Sequence, residues 1–276
     1  MKLTTKIILS IIAAIFLIPL LFIAVFSFTD RRNYVREFSN VKINLSDEKI
    51  TGIELPSFKT IVIGEVAFVT KSSYSNGLSD NCGIFLDPIP ENHSHDMLLI
   101  PESLKDYISF DSFQDTLKIK MDLREFGMKN LKDEQFYYYT DLKIRLNLSK
   151  IDVISNVLSL SITANNIKTD SMIIKSSGNI YIDSCKADVI MPMIIRNHNQ
   201  LRINNSDIKK LNLDLDNAGN WRIENCNIEV ENLTGGGNHS IKQSKDESAK
   251  VYWYPKNKDA QLNVTIKGDA AQIIFP

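Results

Sequence analysis

The sequence predicts an all-β chain whose body is a parallel β-solenoid, or β-helix, with coils of about 20 residues, preceded by one N-terminal transmembrane helix. Three observations carry that prediction. Residues 7–28 are an apolar run without a charge, the rest of the chain alternates apolar and polar residues at period two, and residues 160–240 repeat themselves at a nearly constant interval. The chain divides into a membrane anchor (1–33), N-terminal strands with a loop insertion and first coils (34–140), and regular coils with a C-terminal cap (141–276).

The anchor reads IILSIIAAIFLIPLLFIAVFSF. As a helix it spans about 33 Å, enough for a bilayer core, whereas the apolar stretch of a cleaved secretory signal is usually about 7–15 residues. No small-residue cleavage site follows it, since Ala24-Val25-Phe26 puts an aromatic where a small side chain is needed. Pro19 is tolerated inside lipid. Lys2 and Lys6 on one side face Arg31, Arg32 and Arg36 on the other, so charge alone does not fix orientation. A hydrophobic N-terminus ahead of a large β-rich body favours the amino terminus inside. The expectation is a single-pass inner-membrane protein with its body in the periplasm, the cell surface being the alternative.

The 276 residues are 43% hydrophobic and 24% charged, the composition of an ordinary folded protein. The formal charge is −1, and residues 1–28 contribute only Lys2 and Lys6 to it, so the body is more acidic still. It offers a nucleic-acid backbone no general attraction, and no nucleic-acid partner is expected.

Beyond residue 33 the clearest early strands are 60–69 (TIVIGEVAFV), 116–123 (TLKIKMDL) and 142–148 (LKIRLNL). Residues 71–97 collect Ser, Asn, Gly and Pro and read as a long loop or insertion. A short helix is expected at 103–107, with Pro101 at its start. The repeat begins at Leu160, Ile180, Leu201 and Trp221. Aligned on these starts, Leu160/Ile180/Leu201/Trp221 and Ile162/Ile182/Ile203/Ile223 form apolar columns, Asn165/Cys185/Ser206/Cys226 a small one, and Ile167/Ala187/Ile208/Ile228 another apolar one. A unit this short cannot bury its apolar stripe alone and becomes stable by stacking. SSGN (176–179), NAGN (217–220) and GGGN (235–238) close three of the coils, where left-handed backbone angles are expected. An antiparallel sandwich or meander also gives short strands with frequent turns, but independent hairpins have no reason to match at whole-coil spacing. Gln261–Ile266 and 272–275 supply the closing strands.

Residues 58–276 resemble the auto-transporter adhesin head GIN domain family, common in Bacteroidetes. The resemblance lies in FKTIVIG from Phe58, DTLKIK from Asp115, DLKIRLNL from Asp141 and the Gly/Ser/Asn turns at coil ends. It implies a right-handed parallel β-solenoid and an adhesive role, and it brings no catalytic motif and no site residue. The chain departs from the family in having only 11 glycines and the 71–97 insertion.

Three cysteines are too few for a disulfide framework. Cys185 and Cys226 share a column two coils apart, about 9–10 Å and beyond disulfide reach. Cys82 falls in the loop region. His93 and His95 stand at the spacing of two ligands on an extended segment, but without a third they read as a solvated loop. His198 and His239 read as turn residues. No cofactor is expected, and no hydrolase, nucleotide-binding or paired zinc motif is present.

The candidate ligand-binding face consists of Tyr181, Asp183, Arg202, Arg222 and Glu224, which recur at coil spacing together with Asn204. Alternating charges on neighbouring coils are also what any solvated solenoid face shows. Asp214 and Asp216 alternate outward from Leu213 and Leu215. Aromatics cluster at 136–139 and 252–254, as end caps or as stacking surfaces for sugars or proteins. The functional expectation is a membrane-tethered extracytoplasmic surface, adhesin-like, scaffolding or ligand-binding, with no catalysis and with an envelope protein or a glycan as candidate partner. The alternatives are a polysaccharide lyase or hydrolase using Asp183 and Glu224, and an envelope sensor or assembly partner.

Overall fold

The computed structural model describes residues 41–274, apart from 46, 66–76, 79–81, 92–93, 124, 127–136, 150–151, 159, 196–198, 219, 244–247 and 267–271. The apolar segment 7–28, His93 and His198 lie outside the described residues. Among the described residues no helix is long and apolar enough to cross a membrane.

The N-terminal part contains β1 (Val41–Asn44), β2 (Ile50–Glu54), β3 (Thr60–Glu65), β4 (Gly77–Leu78), β5 (Gly83–Pro88), β6 (Met97–Pro101), β7 (Ile108–Phe113), β8 (Thr116–Met121), β9 (Tyr137–Thr140) and β10 (Lys143–Leu148). A 3-10 helix, Glu102–Tyr107, follows Pro101 and buries Leu104. The regular body contains β11 (Val153–Asn156), β12 (Ser161–Asn165), β13 (Lys168–Ser176), β14 (Ile180–Asp183), β15 (Lys186–Ile194), β16 (Gln200–Asn204), β17 (Asp207–Asp214), β18 (Asn220–Glu224) and β19 (Asn227–Gly235). β20 (Asn238–Gln243), β21 (Ser248–Pro255), β22 (Gln261–Ile266) and β23 (Gln272–Ile274) end it.

Two long sheets form the walls. Sheet I has the order β18-β16-β14-β12-β5-β10-β6-β2, and sheet II the order β23-β21-β19-β17-β15-β13-β11-β3-β8-β7. Their body strands pair in parallel, coil on coil, which makes a β-solenoid of about five turns and excludes the antiparallel sandwich. Among the described residues, antiparallel pairs occur only where β6, β2 and β7 close the N-terminal end. Period-two alternation explains the walls: Ile162, Ile180, Leu201, Ile174, Ile190 and Leu211 point in and are at most 1% exposed. Glu231 stands in the same inward column, between Leu211 and Val251 in register, and is fully buried.

The repeat is confirmed and its first unit corrected. Ile162, not Leu160, pairs with Ile180, and Ala164 pairs with Ile182, so the first coil is two residues shorter than the alignment assumed. A two-residue slip keeps every side chain on its face, so hydrophobic alternation could not detect it. Ile167, not Asn165, therefore stands in the column of Cys185, Ser206 and Cys226, so the small residues begin only at Cys185.

The left-handed positions also differ from expectation. In the regular body they fall at Asn166 (φ 55), Ser184 (φ 55), Asn205 (φ 49) and Asn225 (φ 53), at the corners after β12, β14, β16 and β18, while Gln114 (φ 51) and Asp141 (φ 56) are left-handed in the N-terminal part. The reversed angle turns successive amides to opposite neighbours. Ser184 N–H donates to Asn204 O (3.1 Å) in the next coil, while Lys186 N–H donates to Ile167 O (2.8 Å) in the previous one. Gly235, Gly236 and Gly237 adopt no left-handed angle; Gly235 supplies space, since a Cβ there would stand 2.6 Å from the His239 ring.

The region read as the 71–97 loop holds β4 and β5, and β5 runs through the centre of sheet I between β12 and β10. Coil order thus departs from chain order. The coil of β3, β4 and β5 is flanked on one side by the later coil of β8, β9 and β10 and on the other by β11 and β12.

Candidate functional surface

Tyr181, Asp183, Arg202, Arg222 and Glu224 all project from the outer face of sheet I, as their period-two positions require. Tyr181, Arg202 and Arg222 form one row in register, and Asp183, Asn204 and Glu224 form the next. The first row continues through Thr163, Phe85 and Arg145. Arg145 caps it, 5.1 Å over the Phe85 ring and 3.0 Å from Asp87. Arg222 pairs with Glu224. Arg202 donates to Gln200 (3.3 Å), and Asn179 donates to the Tyr181 hydroxyl (3.2 Å). Asp183 accepts from Ser184 Oγ and Asn205 Nδ2, both at 3.0 Å. A shallow depression of about 180 Å³ lies among Gln200, Arg202, Asn220 and Arg222, with Leu201 and Trp221 beneath. The face is a flat, polar grid with two guanidinium groups one coil apart. It suits planar or anionic groups laid along it.

A second cluster sits at the coil corners of sheet II. The Asp216 carboxylate accepts from Gly236 N–H (2.8 Å), Gly237 N–H (3.3 Å), His239 Nε2 (2.9 Å) and Lys256 Nζ (2.8 Å). Lys256 also donates to both Asp214 oxygens at 2.7 Å. The Lys256 hydrogen bond, with those from Gly236, His239 and Gly237, holds the Asp216 carboxyl far below the usual carboxylate range, and Asp214 and then Asp216 raise the Lys256 ammonium above its ordinary value. One acid thus ties together three successive coils. Sequence reading placed Asp214 and Asp216 outward and missed this network, because Lys256 lies 40 residues from Asp216.

Cys185 and Cys226 stand in one buried column with Ser206 between them. Cys185 N–H donates to Ser206 Oγ (3.1 Å), and burial pushes the Cys185 thiol up to about 11. Cys82 is buried beside β5, not in an open loop. His95 is exposed, and among the described residues no group of three or more His, Cys, Asp or Glu side chains could hold a metal. The aromatic segment near the C-terminus divides by parity. Trp253 packs in the core, edge-on to His239 at 6.2 Å, while Tyr252 and Tyr254 stack on the outer face at 6.3 Å.

A family profile described as "Putative auto-transporter adhesin, head GIN domain" matches residues 98–254, more than half of the chain. No curated protein matches. Among solved structures, the chain is similar to a "Putative lipid binding protein" from Parabacteroides distasonis, at 15% identity over 84% of this chain and 98% of that one, with a TM-score of 0.41. It is also similar to a "putative adhesin" from Bacteroides fragilis, at 17% identity over 85% and 100% of the two chains, with a TM-score of 0.41.

Proposed function

Because the chain belongs to the auto-transporter adhesin head GIN domain family, we propose that it is an adhesin-like binding protein of the cell envelope, with no reaction of its own to catalyse. Family membership is the observation that carries this reading. Residues 7–28 tether the chain to the inner membrane and the solenoid stands on the outer side of that membrane, in the periplasm. The ligand lies along the grid of Tyr181, Arg202 and Arg222, and its class is a glycan bearing carboxylates or an acidic envelope protein. Bidentate contacts from neighbouring guanidinium groups favour planar anions. Asp183 and Glu224 are engaged by Ser184, Asn205 and Arg222 on an open face, which favours binding over hydrolysis.

Two measurements test the reading. Protease accessibility of the solenoid in intact cells, spheroplasts and lysates tests location, with digestion expected only once the outer envelope is opened. Protection until lysis would refute it. An array of acidic and neutral glycans, probed with the full chain in detergent, tests the ligand. Signal is expected on acidic glycans and is lost in the Arg202→Ala, Arg222→Ala double variant; equal signal from that variant would remove the grid from the site.

A further inference from the structure

The outer face of sheet II is apolar across consecutive coils, and we propose that it is the interface on which a second copy of this chain packs about a two-fold axis. Val153, Val157, Ile173, Met191, Met193 and Ile195 all project there, opposite the inward Ile154, Ile174, Ile190 and Ile194. Val157, Met193 and Ile195 are 51%, 38% and 53% exposed. Isolated exposed apolar side chains are ordinary, but a contiguous patch rimmed by charge marks an interaction site. The sequence carried the signal in the unbroken apolar run 189–195, the pattern of a strand covered on both faces.

Charge and order identify the occupant. In sheet II the strands across the patch run β8-β3-β11-β13-β15-β17. An axis between β11 and β13 exchanges β8 with β17 and β3 with β15. The middle outer row then reads Lys118, Val62, Ser155, Lys175, Met193 and Asp214, taking the β15–β17 register on from Ile190↔Leu211. The operation lays exposed Lys118 against the partner's Asp214, whose cluster with Asp216 keeps one negative charge beyond that of Lys256. Lys175 meets the partner's Ser155. Such self-complementarity is what an isologous dimer requires. Six strands at about 4.8 Å, with about five residues each, give about 500 Å² per copy and about 1,000 Å² in total, the lower bound of a specific interface. An interface of that size belongs to the weak, concentration-dependent class.

The test uses the full chain in detergent. Sedimentation is expected to show a monomer–dimer equilibrium that Ile195→Asp and, separately, Met193→Ser shift to monomer with unchanged circular dichroism. Mixing Lys118→Cys chains with Asp214→Cys chains under mild oxidation should yield a mixed disulfide dimer, while neither variant alone does so. The native cysteines are buried and do not compete. Monomer at every concentration, or a dimer indifferent to Ile195→Asp, as pairing through residues 7–28 would give, overturns the proposal. So does a dimer that responds to Ile195→Asp without forming the 118–214 disulfide. A Met193→Trp chain quenched by brominated lipid in phosphatidylethanolamine–phosphatidylglycerol vesicles would reassign the patch to the membrane.

Discussion

Replacing Asp216 tests whether one carboxylate staples three coils. In Asp216→Ala the Gly236 and Gly237 amides, His239 and Lys256 all lose an acceptor. A buried charge-assisted hydrogen bond contributes about 1.5–3 kcal/mol, but the Asp216 and Lys256 side chains are 31% and 42% exposed, so solvent reduces each contact to about 0.5–1 kcal/mol. Four contacts then amount to about 2–4 kcal/mol. Asp216→Asn keeps one acceptor oxygen and loses the charge, and should cost about half as much. Solenoid coils open locally, so hydrogen exchange of the Gly236 and Gly237 amides is the direct assay. Protection should fall about 30- to 800-fold in the alanine variant, while coils before residue 200 keep theirs. The pH dependence has a fixed sign. Asp216 has a folded pKa depressed below its unfolded value, so its stabilisation is complete above about pH 4 and is lost as pH falls towards the folded pKa. The difference between wild type and Asp216→Ala should therefore be flat from pH 8 to about 5 and shrink below about 4. Unchanged exchange at Gly236, or a difference growing in acid, would refute the staple.

Three further outcomes follow from the same packing. Gly235→Ala places a Cβ 2.6 Å from the His239 ring and 3.0 Å from Trp253, and should lower the urea midpoint and shift Trp253 fluorescence. Ser184→Asn gives the left-handed corner at φ 55 the residue that Asn166, Asn205 and Asn225 already provide, and should stabilise by about 0.5–1 kcal/mol; destabilisation would show that Ser184 Oγ matters more than the backbone angle. The Cys185 thiol, raised to about 11 by burial, should stay unreactive towards iodoacetamide at pH 8 until urea unfolds the chain, as read by mass spectrometry.

The sequence was informative where one coil repeats the next. The inward Ile and Leu columns, the Cys185/Ser206/Cys226 ladder, the grid of Tyr181, Arg202 and Arg222 and the strand at Gln261–Ile266 all stand where alternation places them, because period two decides face and coil length decides column. What alternation leaves undetermined is register in steps of two, hence the misplacement of Leu160. Asn166, Asn205 and Asn225 were visible as small polar residues beside the strands, but glycine drew attention to the opposite corner. Glu231 is the reverse case: a carboxylate that polarity alone would place outward is held inside by the parity of Val230 and Asn232.

The order of the first coils was not legible, for a physical reason. Side-chain patterning records which face a strand buries, and every strand in the middle of a parallel wall needs the same face, whichever coils lie beside it. β5 carries the pattern GIFLDP, buried at Ile84 and Leu86, which fits between β12 and β10 as well as it would fit at an end. Its flanks, rich in Asn, Ser and Pro, imitate a loop because the chain leaves the wall at Pro88 to run antiparallel as β6 and β7 before returning as β8. The coil of β8 and β10 must then pack between β3 and β5 on one side and β7 and β6 on the other, so its pairing with β3 and β5 joins residues 56 and 60 apart, and that of β10 with β6 joins residues 46 to 50 apart. Such contacts cost more loop-closure entropy than the 18- to 21-residue steps of the later coils. Growth from the regular body towards the N-terminus would add the β3–β5 coil to β11 and β12 first and the β8–β10 coil last. The N-terminal end is accordingly the portion whose pairing depends most on the stack already formed behind it.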